Sequence, residues 1–187
     1  MRIGRVEVVA KAWGTLRRTE LELRRPDGTW VEQVRETYDR GNGATILLHD
    51  PERDTVLLVR QFRYPAYANG HPDGYLLEAP AGLLDDEDAL TGIRREAEEE
   101  TGVRVRDVEQ LFELYMSPGS VTERIGFFRA TYRHGDASGP SGADDAEDLE
   151  VVEVTLDEAM TMIEDGRIVD GKTVILLQQA VLARPRA

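Results

Sequence analysis

Apolar and polar residues alternate over most of residues 1 to about 40. Val6, Val8 and Ala10 alternate with Glu7, Val9 and Lys11, and Leu21 and Leu23 alternate with Glu20, Glu22 and Arg24. A period of two is a strand signal. Pro26-Asp27-Gly28 reads as a turn, and Trp30, Glu32, Val34 and Glu36 follow it before Tyr38. These segments predict an antiparallel hairpin with one polar face. Gly41 and Gly43 interrupt the alternation. The unbroken apolar run Ala44 to Leu48 predicts a buried strand, with Thr55 to Val59 as its neighbour. Tyr64 to Tyr75, with two prolines, two glycines and an Asn, reads as a loop.

Farther along, one helix has clear ends. Asp85 or Asp86 can cap it, acidic residues crowd its first turn, and Gly102 can stop it. Leu90, Ile93 and Ala97 form its apolar stripe. Val105 to Tyr115, Arg124 to Tyr132 and Leu149 to Val154 predict further strands. Thr155 with Glu158 forms a capping box for a short helix ending near Gly166, and a last helix spans about Lys172 to Leu182. His134 to Asp148 has no apolar period and reads as an acidic loop. Strands on both sides of one helix, then helices at the end, predict an α+β architecture: an α/β/α sandwich around a mixed sheet, with an N-terminal antiparallel β-hairpin subdomain. The expected division is residues 1–42 and 43–187.

Composition narrows the chemistry. With 23 Lys+Arg against 36 Asp+Glu, the net charge of −13 disfavours nucleic acid and anionic membrane as main partners. The absence of cysteine removes disulfides, thiol catalysis and thiolate metal sites. MRIGRVEVVAKAW lacks the apolar run of a signal peptide, and no 18-residue apolar stretch occurs, so a soluble, cytoplasmic protein is expected.

Glu96, Glu99 and Glu100 fall at i, i+3 and i+4 and so share one helix face, with Glu98 adding a further charge. Such a face fits a solvated helix with Arg94–Glu98 and Arg95–Glu99 pairs, or a site for a hard cation such as Mg²⁺. Helix geometry alone leaves both open. The surrounding residues carry more information. Arg95-Glu96-Ala97-Glu98-Glu99-Glu100-Thr101-Gly102-Val103, preceded by Gly82 and Glu87, closely resembles the signature of the Nudix hydrolases. The departure is in the loop before the helix, where only Leu83 to Asp86 separate Gly82 from Glu87. Tyr38–Thr45, Arg60-Gln61-Phe62-Arg63, Ala81–Asp85, Leu111–Gly119, Val121-Thr122-Glu123 and Asp170–Val174 extend the likeness to the nucleoside-diphosphate-sugar branch of that family. Within it the chain is most similar to the bacterial GDP-mannose hydrolases.

The resemblance implies metal-dependent cleavage of a pyrophosphate bond. The expected reaction converts GDP-mannose and water to GMP and mannose 1-phosphate. ADP-ribose hydrolysis to AMP and ribose 5-phosphate, or a catalytically silent nucleotide-sugar sensor, are the alternatives. It further implies Glu96, Glu99, Glu100 and the Ala81 carbonyl as ligands of Mg²⁺ or Mn²⁺, with Arg95 orienting the carboxylates. Asp145 and Glu147, in the acidic loop, match a family pair that supplies a further ligand or the catalytic base. Arg63 is implied to bind the diphosphate. Trp13, Arg35 and Glu36 match positions that reach base, nucleotide or sugar, Glu123 is a substrate- or metal-linked acid, and Lys172 is a phosphate contact. The family's exchange of N-terminal strands implies a homodimer. Plain alternatives are surface ion pairs for Arg35, Arg63 and Lys172, core packing for Trp13, and an exposed carboxylate for Glu123.

Overall fold

The computed structural model describes residues 1–84, 88–136 and 149–184. Asp85, Asp86, Glu87, Asp145 and Glu147 lie outside them. Two compact units emerge: Met1–Asn42 with Leu114–Ile125, and Gly43–Glu113 with Gly126–Ala187.

The first unit holds an antiparallel three-stranded sheet, β1 (Arg2–Lys11), β2 (Thr15–Arg24) and β3 (Trp30–Asp39), in that spatial order. The expected hairpin is its β2–β3 half, in unbroken register from Thr15↔Asp39 to Arg24↔Trp30. Its turn is closed by Asp27, whose Oδ1 accepts from the Thr29 N–H at 2.9 Å, and Gly28 takes a φ of 89°. The alternating segment around Val6, Val8 and Ala10 is the third strand: β1 pairs β2 with two register shifts, so its alternation is not continuous. At the β1–β2 turn, a Cβ on Gly14 would lie 2.5 Å from Tyr38 Cζ, so only glycine allows Tyr38 that close.

The second unit is built on a mixed sheet whose central order is β10 (Leu149–Thr155), β5 (Thr55–Phe62), β4 (Asn42–Asp50), β9 (Arg124–Thr131) and β8 (Arg106–Tyr115). The short strands β6 (Tyr75–Glu78) and β7 (Ala81–Leu84) pair with β5 and β4 respectively. Ala44, Ile46 and Leu48 of β4 share a core cluster with Ile93 and Ala97 of α2 (Ala89–Thr101). The intervening Leu47 and His49 line a cavity with Leu176, Gln179 and Ala180 of α4 (Gly171–Ala183). Successive strand residues point to opposite faces, so α2 and α4 cover the two sides of the sheet, as a sandwich requires. Between β10 and α4 runs α3 (Leu156–Glu164), capped by the Thr155 side chain as its capping box predicts.

Several local expectations change. Tyr64–Ala68 is a single helical turn, α1, not loop; Pro65 has no N–H to lose at a helix start, and Gly70, at a φ of 97°, follows its end. The α2 cap is Asp88, whose side chain accepts from the Thr91 N–H, so the first turn carries no acidic residue. Leu90 is exposed, leaving Ile93 and Ala97 as the buried stripe. Gly102 ends α2 with a φ of 67°, as predicted. No described helix is long and apolar enough to cross a membrane.

Candidate active site

β7 and α2 meet at Gly82. A Cβ there would lie 2.7 Å from Glu96 Cγ and 2.9 Å from its Cδ, so the missing side chain is the space that the Glu96 carboxylate arm fills. This brings Glu96 against the strand that carries Ala81. Arg95 sits between two of the predicted ligands: its Nη2 donates to Glu96 Oε1 and its Nη1 to Glu99 Oε2, each at 2.9 Å. Glu99 is half exposed, whereas Glu100 is buried. Arg94 and Glu98 take another role. Arg94 donates to the Val105 carbonyl and Glu98 accepts from the Val105 N–H, tying the end of α2 to the chain that follows.

Among the described residues, no three His, Asp or Glu side chains converge as a ready-made cation site. The donor chemistry nevertheless fits a hard divalent ion. Glu96, Glu99 and Glu100 offer carboxylate oxygens, β7 offers the Ala81 carbonyl, and Gly82 leaves room for the Glu96 arm against that strand.

A second group lies in the same unit. Arg63 donates from Nε to Glu78 Oε1 at 2.7 Å and from Nη2 to Glu78 Oε2 at 3.1 Å. Lys172 Nζ lies 3.5 Å from Glu78 Oε2 and donates to Asp170 Oδ1 at 2.6 Å. Asp170 caps α4 by accepting from the Thr173 N–H and hydroxyl, and the Thr173 hydroxyl accepts from the Ala79 N–H at 2.7 Å. Burial opposes the Arg63 charge. The bond to Glu78 and the charges of Glu78, Glu100 and Asp170 outweigh it, so the guanidinium pKa rises above its ordinary value.

Trp13, Arg35, Glu36 and Glu123 belong to the other unit. Trp13 is 68% exposed, which excludes core packing within this chain, and the Arg40 guanidinium stands 5.5 Å from its ring centroid. Arg40 also donates from Nε to Glu123 Oε1 at 2.7 Å, and Glu123 is only 9% exposed, so it is no surface carboxylate. Arg35 is held by the Gln33 side chain and the Val34 carbonyl, and Glu36 is exposed opposite Arg18. Sequence reasoning missed Glu78, Arg40 and Asp170. A lone carboxylate closing the run Tyr75-Leu76-Leu77 was the available signal for Glu78.

A cavity of about 740 Å³ opens on the α4 face and includes none of the candidate site residues. His49 pairs with Asp54 and Arg129 with Glu109 in its lining.

An acidic helix laid against a glycine-bearing strand, on a sandwiched mixed sheet, is the arrangement of a hydrolase of the Nudix kind. Residues 39–177 match the NUDIX domain, and the chain belongs to the Nudix family, whose hydrolases are generally dependent on divalent metal. Residues 1–38 match the model described as the GDP-mannose pyrophosphatase NudK N-terminal domain. The chain is 54% identical over 178 residues to the GDP-mannose pyrophosphatase of Yersinia enterocolitica, covering 94% of this chain and 92% of that one. It is 50% identical over 176 residues to the enzyme of the same name from Pectobacterium atrosepticum, covering 94% and 91%. A crystal structure of an ADP compounds hydrolase shares the fold, with a TM-score of 0.74 at 24% identity over 96% of this chain and 91% of the other.

Proposed function

We propose that the chain hydrolyses GDP-mannose to GMP and mannose 1-phosphate. The observation that carries this reading is the likeness, at half or more of all positions and over almost the whole of both chains, to proteins named GDP-mannose pyrophosphatase. In the reaction a water oxygen bonds to phosphorus, the bridging P–O bond breaks with its electron pair staying on the departing phosphate, and both protons of water are released as the two monophosphates reach their dianionic form. Glu96, Glu99, Glu100, Glu147 and the Ala81 carbonyl would hold Mg²⁺, with Mn²⁺ as substitute, and the ion would supply charge neutralisation of the diphosphate and acidification of water. Arg95 keeps Glu96 and Glu99 from repelling one another before the cation arrives. Glu147 or its neighbour Asp145 takes the proton of the attacking water.

Arg63 and Lys172 face the diphosphate, while Trp13, Arg35 and Glu36 serve the nucleoside and sugar. Glu123 orients Arg40 beside Trp13. The N-terminal segment, residues 1–42, contributes substrate contacts and joins two chains as a homodimer in the cytoplasm, and residues 43–187 form the hydrolase domain.

The test is a substrate panel, with GDP-mannose and ADP-ribose assayed in parallel and products identified. GMP with mannose 1-phosphate is expected, and preference for ADP-ribose overturns the substrate assignment. Glu100→Gln is expected to lower kcat by about 100-fold or more with the melting temperature retained, since metal stabilisation of the transition state is worth several kcal/mol. Unchanged turnover in that variant removes the metal role of the helix.

A further inference from the structure

Glu78 is a buried carboxylate for which the reaction just described has no use. Its side chain is 3% exposed, while that of its partner Arg63 is 39% exposed. A pair that served the core alone would hide both ends, and a buried charge is costly enough that apolar residues often replace such pairs without loss. Here the buried end holds the outer one.

The geometry defines what is held. A guanidinium carries five N–H donors in a planar fork, with one two-donor side at Nε and Nη2 and another at Nη1 and Nη2. Glu78 takes the Nε/Nη2 side with both carboxylate oxygens, at 2.7 and 3.1 Å. That fixes the plane of the fork and leaves its Nη1/Nη2 side for another anion. Glu78 is itself fixed from behind. Lys172 approaches Oε2, Asp170 grips Lys172, and Thr173 links Asp170 to the Ala79 N–H one residue beyond Glu78. The next carbonyl, that of Pro80, accepts from the Thr45 hydroxyl and the Ile46 N–H. The clamp therefore stands on the same pinned segment that leads to Ala81.

We propose that Glu78 is a positioning residue, turning the Nη1/Nη2 edge of Arg63 toward the phosphate oxygens of a nucleoside-diphosphate ligand. The proposal rests on the reading of Arg63 as a diphosphate contact. Its test is calorimetric titration of GDP, with Mg²⁺ present, into the full-length wild type, Glu78→Gln, Arg63→Lys and the double variant. Both single variants are expected to bind GDP about tenfold more weakly, because each loses the fixed fork. The double variant is expected to bind no worse than Arg63→Lys, because Glu78 acts through Arg63, whereas independent sites lose affinity additively in free energy. In turnover, Glu78→Gln is expected to raise KM more than it lowers kcat.

Wild-type affinity in Glu78→Gln, multiplied losses in the double variant, or no GDP binding by the wild type each overturn the proposal. Should the Gln variant fail to fold, Glu78→Asp keeps the charge but shortens the reach; loss of GDP affinity there supports the fork, and full affinity overturns it. A wild type that binds GDP through Arg63 and Glu78 yet leaves GDP-mannose intact sinks the proposed reaction and leaves the role of Glu78 standing.

Discussion

Gly82 and Glu96 share one volume: the carboxylate arm of one occupies the place where the side chain of the other would be. Gly82→Ala is expected to push Glu96 off β7, costing about 1–3 kcal/mol of stability from overpacking and lowering metal-dependent turnover by about tenfold or more. Mn²⁺ titration alongside thermal melting checks it. Full activity with an unshifted metal affinity would show that the Glu96 position near Ala81 is idle. At this scale the sequence was informative where a motif fixes spacing and silent where contacts join distant segments. That Glu96, Glu99 and Glu100 share one helix face was legible from their i, i+3, i+4 pattern. The bidentate grip of Glu78 on Arg63 spans 15 residues, and the Arg40–Glu123 bond spans 83. No local pattern reports a partner across such separations.

Elements were legible in proportion to their length and to the strength of their end signals. α2 has 13 residues and a glycine stop, so it stood out, yet its start depended on which of several nearby aspartates faces the Thr91 N–H. α1 has five residues and β6 and β7 four each, too short for a period to register. β10 was visible as a strand, but its fastening was not. Tyr132 donates to Glu153 Oε1 at 2.7 Å, Arg53 Nη1 donates to the same oxygen at 2.5 Å, and the Thr55 hydroxyl lies 3.2 Å from it. Burial disfavours the Glu153 charge, but these bonds together outweigh it and hold the carboxyl below its ordinary value near 4.5. Burial first, and the Glu153 charge after it, push the Tyr132 hydroxyl well above 10.0. The signs follow by linkage. A depressed carboxylate stabilises the fold above pH 4.5 and loses that contribution as pH falls below it. A raised phenol contributes fully below pH 10.0 and loses its contribution as pH climbs past it. Melting temperature against pH should therefore fall on both sides, and Glu153→Gln should flatten the acid limb. An acid limb of equal slope in that variant would show that the strand is not pinned by this charge.

For the molecule as a whole, β1 poses a problem that the single chain leaves open. All ten of its residues are exposed, with Ile3, Val6, Val8 and Val9 each at 50% or more, and among the described residues it pairs with β2 on one side only. An edge strand of that length and hydrophobicity is a template for pairing with another chain, and natural proteins seldom leave one bare. The net charge of −13 opposes indiscriminate association, so the contact has to be a specific one. A second copy of the same sheet satisfies both conditions, in keeping with the proposed homodimer. Val6 and Val8 lie two apart and so point to one face of β1. Val6→Glu with Val8→Glu would place two further negative charges where the apolar contact has to form. Light scattering at micromolar concentration is expected to give a dimer for the wild type and a monomer for the double variant, with turnover falling alongside the mass if strands from one chain serve the other's site. A wild type that is monomeric and fully active removes the dimer. A variant that is monomeric and fully active leaves the dimer in place but shows that each chain holds a complete site of its own.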